Sequence, residues 1–250
     1  MQNRYVGDVG DFAKYALLRS VTSDTLQALR LAVIWYLYPD EAHNSDGRHI
    51  SYLNSQSYRD LDPDLHSLMH RLVRGTRRRV VEVKKSAVLP VSTRFFEEPV
   101  TKDVGLRLSA SQRQTSRMQW FARAQAAVDG ADIVFIDPDN GIEVRSVPKG
   151  ASKAGKYVYW DEIQSLWSKG HSLLIYHHLN RSMKASMQTQ VLAECFSERL
   201  GRPAIVAPLL FRRGSCRHFW VVGQAAHAAA LRCGIDRIIN SGWSKHFERA

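Results

Sequence analysis

The chain has 250 residues, enough for one large α/β domain or two small ones, and 44% hydrophobic with 24% charged content is that of an ordinary soluble globular protein. Thirty-five Lys+Arg against 24 Asp+Glu give a net charge of +11, a balance that favours a polyanionic partner, nucleic acid first. Cys195, Cys216 and Cys233 form no CxxC pair, which argues against a disulfide framework or zinc ribbon; with no signal-peptide core and no membrane-length apolar window, a soluble protein of the reducing cytoplasm is expected.

In RYVGDVGDFAKYALLR (4–19), Gly7 and Gly10 alternate with Asp8 and Asp11. A helix is predicted from Asp11 to Leu31, with Phe12, Ala16, Leu17, Val21 and Leu29 at helical spacing. Acids at a helix N-terminus complement its dipole, which accounts for Asp8 and Asp11 taken singly. Lys14 stands out among apolar residues, although a snorkelling surface lysine has the same look.

LAVIWYLY (31–38) predicts the first buried strand. It ends in Pro39-Asp40-Glu41 and a polar loop with His43, Asn44, Asp46, Gly47, Arg48 and His49, the position at which α/β folds hold nucleotides. One glycine cannot make a GxGxxG cradle, and the histidines and acids show no recognised metal-ligand spacing. DPDLHSLMHRLVRG (62–75) predicts a helix with Leu65, Leu68, Met69 and Leu72 on one face, within a helical insertion around 54–76 of a single domain. RRVVEV (78–83) reads as a short strand.

The stretch 109–130, opened by Ser109 and closed by Gly130, predicts a helix that leads into the strand DIVFI and the turn Asp137-Pro138-Asp139-Asn140-Gly141. WDEIQSLWSKG (160–170) predicts a helix, SLLIYHH (172–178) a buried strand, and 183–201 a further helix. The runs 203–212 and 217–224, split by Arg213-Gly214-Ser215, are joined too closely for a crossover and are expected to pair antiparallel. The run 225–234 finishes the regular structure. Alternating strands and helices imply a mostly parallel sheet that ends in an antiparallel strand pair.

Two acids after a buried strand have two chemical uses. A carboxylate and a nearby carbonyl can accept both protons of an exocyclic amine and so make its nitrogen a better nucleophile. Alternatively, Asp137 and Asp139, with Asp40, Glu41 and either His177 or His178, could hold Mg²⁺ for phosphodiester cleavage. Phosphate contacts could come from Arg77, Arg78, Arg79, Lys84, Lys85, Arg212, Arg213 and Arg217. A non-catalytic nucleic-acid-binding protein is the third reading of the same features.

GDVGDFAKY resembles the G-N-x-A-D-x-x-K-H segment that opens the RlmJ-type adenine-N6 methyltransferases of large-subunit ribosomal RNA, with Gly7, Asp11 and Lys14 at its Gly, Asp and Lys. VFIDPDN is similar to that family's catalytic V-L-I-D-P-P-Y, with Asp139 and Asn140 in place of the second proline and the aromatic that stacks on a flipped base. The resemblance implies a Rossmann-like S-adenosylmethionine methyltransferase fold and transfer of a methyl group to a base amine. It assigns Asp137 to the amine proton, Pro138 to a carbonyl acceptor, and Lys14 and Tyr15 to the donor pocket. The loop with Asp40, Asp46 and Gly47 would lie by the methionine part of the donor, and Glu82 by a ribose hydroxyl.

Overall fold

The computed structural model describes residues 1–23, 28–41, 47–75, 77–100, 108–180, 183–213 and 215–250, without the side chains of residues 213, 215 and 216. Its regular elements begin with α1 (Val9–Thr22), β1 (Leu31–Ile34), α2 (Gln56–Arg59), α3 (Pro63–Gly75), α4 (Val80–Lys85), β2 (Arg94–Phe96), α5 (Ala110–Ala127) and β3 (Ile133–Ile136). There follow β4 (Gly141–Ile142), β5 (Tyr157–Val158), α6 (Trp160–Ser168), β6 (Ser172–His178), α7 (Ala185–Arg199), β7 (Ile205–Arg213), β8 (Ser215–Gly223), α8 (Ala228–Ile239) and β9 (Phe247–Arg249).

Seven strands form one sheet in the order β2-β1-β3-β6-β8-β7-β9. β2, β1, β3 and β6 run parallel, and β8 lies antiparallel between β6 and β7. The expected antiparallel pair is therefore β7 and β8, although β9 adds an edge strand that the sequence reading lacked. From β1 the chain goes to β2 on one side, and β3 then pairs on the other. The carboxyl ends of β1 and β3 thus flank a point where strand order reverses, the place where open α/β sheets leave a crevice.

The apolar runs explain the layers. Ile133, Val134, Phe135 and Ile136 are all fully buried. Their alternation sends Ile133 and Phe135 to a core with Phe12, Leu17, Leu65 and Leu231, and Val134 and Ile136 to one with Trp120, Ile163 and Phe196. Helices α1, α3 and α8 therefore cover one face and α5, α6 and α7 the other. Full burial of each such side chain contributes roughly 1.5–3 kcal/mol, so the centre of the sheet is the most strongly held part.

Several expected boundaries move. Helix α1 starts at Val9, two residues early, and its C-cap is Ser23 rather than a residue near Leu31. The first strand stops at Ile34, because Tyr36 takes a left-handed backbone (φ 44°). Val80–Lys85 is a helix, not a strand, since Val80 and Val83 bury one face at helical spacing. No helix among the described residues is long and apolar enough to cross a membrane.

The turn after β3 has a strict steric demand. Gly141 has φ +103°, and a Cβ there would lie 2.4 Å from His177 Nδ1 and 2.7 Å from its Cα. The close approach lets the Ile142 N–H donate to His177 Nδ1 at 3.1 Å. Gly141→Ala is expected to destabilise the fold by about 2–3 kcal/mol, from backbone strain and displacement of His177. A urea unfolding midpoint unchanged from the parent would show that this turn yields freely.

Candidate functional site

The site grows from the amino end of α1. The Asp8 carboxylate caps the helix by accepting from the Asp11 N–H at 2.9 Å. The Asp11 carboxylate accepts from the Gly7 N–H at 3.0 Å and the Tyr15 hydroxyl at 3.1 Å. One turn on, Lys14 Nζ donates to Asp11 Oδ1 at 2.8 Å and to Asp137 Oδ2 at 2.7 Å. Alternation along β3 turns Asp137 towards α1, so a lysine and an acid 123 residues apart meet at the strand reversal.

This charge cluster is dry. Lys14 is 5% exposed, Asp11 and Asp137 2% each. The Lys14 ammonium also lies 5.8–5.9 Å from the ring centres of Trp35, Phe135 and Tyr176. Burial works against its charge, but Asp11 and Asp137 outweigh burial and raise the lysine above its ordinary range. For Asp137, burial is the largest influence and raises the carboxyl despite Lys14. Asp8 is raised as well, by burial and by Asp11, against the pull of Arg217, whose guanidinium lies on Gly10.

A second set of groups sits at the rim above. The Met1 amino nitrogen lies 2.8 Å from the Asp137 carbonyl, 2.8 Å from Asp139 Oδ1 and 3.3 Å from the Tyr36 carbonyl. Gln2 Nε2 donates to Asp139 Oδ2 at 2.6 Å and to Glu41 Oε2 at 3.0 Å. Asp40 accepts from the Arg4 N–H at 3.1 Å, and Lys156 pairs with Glu41. Burial alone would raise the Asp139 carboxyl; the Met1 charge, with hydrogen bonds from Met1 and Gln2, holds it below its ordinary value. Three acceptors thus converge on one nitrogen. Met1 and Gln2 were not among the sequence-derived candidates, because no motif marks a chain segment that folds back over a rim.

The expected residues separate into those brought together and those not. Lys14, Tyr15, Asp137 and Asp139 assemble, with Asp40 beside them. Pro138 is buried, and Asn140 takes part through its main chain, donating to the Lys156 carbonyl and accepting from the His178 N–H. Gly47 adjoins the same segment: its carbonyl accepts from Arg78 at 2.6 Å. Asp46 lies outside the described residues, as do His43 and Asn44. Glu82 is on the outer surface of helix α4, paired with Lys85 at 3.2 Å, and so is not at a strand end where a ribose would lie.

Among the proposed phosphate contacts, Arg78 is spent internally, donating to the Val6 and Gly47 carbonyls, while Arg77 and Arg79 are exposed. Arg212 pairs with Glu248 at the far edge of the sheet, and the Arg213 side chain is outside the described residues. Arg217 instead turns inward beside Asp8. The alternative metal set of Asp137, Asp139 and His177 is not assembled, because strand alternation points His177 to the face opposite Asp137. Among the described residues, no three His, Cys, Asp or Glu side chains lie close enough together to hold a metal ion.

A buried network on the opposite face also escaped the sequence reading. Arg117 binds Glu162 through two nitrogens, at 2.6 and 2.9 Å, and donates to the Ala154 and Tyr157 carbonyls. Glu162 further accepts from the Tyr36 hydroxyl at 3.1 Å and the Tyr159 N–H at 3.1 Å. Tyr36 therefore joins the two layers: its side chain is fixed by Glu162 while its carbonyl faces the rim. Compared with protein-family models, characterised proteins and solved structures, the chain has no significant match.

Proposed function

We propose that this protein is an S-adenosylmethionine-dependent methyltransferase, on a Rossmann-like methyltransferase fold, that acts on an amine of a nucleic-acid base. The observation that carries the reading is the convergence of the Asp137 carbonyl, the Asp139 carboxylate and the Tyr36 carbonyl on one nitrogen at the strand reversal. A base amine has two protons to donate, and two such acceptors leave its lone pair free to attack. The roles differ from those implied by the resemblance: Asp139 supplies the carboxylate and Asp137 the carbonyl. The Asp137 side chain is held by Lys14, which makes the pair positioning residues.

The surroundings suit the donor chemically. Its carboxylate calls for cations at a helix amino end, where Arg217 lies on Gly10 of α1. Its amino and ribose groups call for acceptors, which Asp40 and Glu41 supply at the end of the first strand segment. When bound, S-adenosylmethionine supplies an electrophilic methyl group. The chain's own part is to fix the amine in line, a contribution mainly of positioning. As the nitrogen becomes cationic, Asp139 is the base placed to take its proton. Met1 and Gln2 must leave the cradle for a base to enter it.

Calorimetry with S-adenosylhomocysteine tests the donor site, and labelled-methyl transfer to RNA and DNA tests the reaction. Asp139→Asn is expected to lower turnover about a hundredfold, with S-adenosylhomocysteine binding little changed. Absence of any heat at millimolar S-adenosylhomocysteine would end the reading.

A further inference from the structure

We infer that the exposed face made by α3, α4 and the segment between them docks the phosphate backbone of a nucleic acid alongside the rim. From Pro63 to Lys85 the sequence has seven Lys or Arg and two acids, Asp64 and Glu82, so this stretch holds nearly half of the chain's net +11. On α3 the apolar residues Leu65, Met69 and Leu72 turn inward, which leaves Arg71 and Arg74 exposed one turn apart. Next along the chain, Arg77, Arg79 and Lys84 are exposed as well. Only Lys85 spends its charge locally, on Glu82.

Elsewhere on the surface several cations meet acids: Arg30 with Asp132, Arg123 with Glu98, Arg212 with Glu248, Arg249 with Asp236. Among the described residues, Arg71, Arg74, Arg77, Arg79 and Lys84 enter no ion pair. A large share of the excess charge is thus carried by one stretch of chain, where it concentrates a linear polyanion. Several separate exposed guanidinium groups fit successive phosphates better than a single small anion. The exposed side of α3 offers no apolar ridge that would enter a lipid layer.

The face is also fixed in place relative to the site. Val73 of α3 packs so closely on Gly7 that a Cβ there would lie 2.3 Å from its Cγ2. Arg78 bonds the Val6 and Gly47 carbonyls at 2.5 and 2.6 Å, and the Val80 N–H bonds Asn3 Oδ1 at 3.0 Å. The same short segment, residues 3–7, leads directly into Asp8 and Asp11. A strand lying on the basic face therefore passes the amino end of α1. That the docked strand supplies the reacting base rests on the methyltransferase reading; the docking itself does not.

The test is fluorescence anisotropy with three probes: a labelled single-stranded RNA of about 20 nucleotides, a duplex DNA of similar length, and anionic vesicles, across about 50–200 mM salt. Changing Arg71, Arg74, Arg77 and Arg79 to Gln is expected to reduce the slope of log affinity on log salt by about 3, with at least about tenfold weaker binding of one or both nucleic acids. The single variants Arg71→Gln and Arg79→Gln, each at an exposed side chain without an ion pair, should each reduce it by about 1. A control that changes Arg145, Lys153, Lys169 and Lys245, all exposed on other surfaces, to Gln should leave the slope near that of the parent. Equal loss in both quadruple variants, no loss in either, no binding by the parent, or preference for vesicles would each overturn the inference. S-adenosylhomocysteine binding measured on the same proteins separates the two ideas: patch-dependent docking without it leaves this surface standing and removes the methyltransferase reading.

Discussion

Replacing Lys14 by methionine is expected to lower folding stability at pH 7.5 by about 3–5 kcal/mol, the usual cost of leaving a buried charge without its partner. The stem is well matched in volume, so little of the loss comes from packing. What remains is Asp11 and Asp137, each 2% exposed and each stripped of an ammonium at 2.7–2.8 Å. Burial already raises the Asp137 carboxyl, and without Lys14 it would bind its proton still more tightly in the folded than in the unfolded chain. For such groups stability falls as pH rises from the unfolded value of about 3.8 through the raised one. The deficit should therefore be smaller at about pH 5 than at pH 7.5. Asp137→Asn alone should cost less, because Lys14 keeps Asp11, and combining it with Lys14→Met should recover part of the loss. Urea titrations at the two pH values read all three effects. A Lys14→Met protein within about 1 kcal/mol of its parent at pH 7.5 would show that the cluster is open to water and not a buried pair.

The same cluster shows what a sequence can and cannot reveal. Strands β3 and β6 were legible because Ile133–Ile136 and Ser172–His178 are short apolar runs bounded by turn residues. Both members of the Lys14–Asp137 pair were legible as candidates, a lysine among apolar residues and an acid at the end of a buried strand, but their ion pair was not, since no motif links two positions 123 residues apart. The Arg94–Phe96 strand was missed since an edge strand buries only Phe96 fully and has little periodicity. RRVVEV misled through its β-branched residues, although Val80 and Val83 also stand at helical spacing. The acceptor cradle lies beyond any motif. Two of its three oxygens are main-chain carbonyls, and the Tyr36 one is aimed by a left-handed backbone that a tyrosine rarely adopts. The Tyr36 side chain is anchored on Glu162, and Glu162 is in turn fixed by Arg117, 45 residues away in sequence.

On the opposite face, loss of stability in mild acid is expected from two neutral histidines. His177 and His218 are cross-strand partners on β6 and β8, 8% and 0% exposed. Burial pushes His177 down to about 3, helped by the nearby His218 and His178, and burial pushes His218 down to about 4. The Ile142 N–H needs a neutral Nδ1 acceptor on His177, and His218 Nδ1 has no hydrogen-bond partner in the described structure. Below the unfolded value of about 6.5 the unfolded chain takes up protons that the folded chain refuses, so stability drops by about 1.4 kcal/mol per pH unit for each histidine. Roughly 4 kcal/mol would be gone at about pH 5. Asp8 and Asp137 act with the opposite sign, since burial raises them and the folded chain holds their protons more tightly. The histidine part is isolated by substitution: His218→Gln, which keeps a donor for Thr189 in place of the 3.2 Å contact, should roughly halve the loss between about pH 7 and pH 5. Should the parent and His218→Gln lose stability in parallel over that range, the two rings are already protonated or solvated in the folded protein, and the tight packing of Gly141 on His177 would need another explanation.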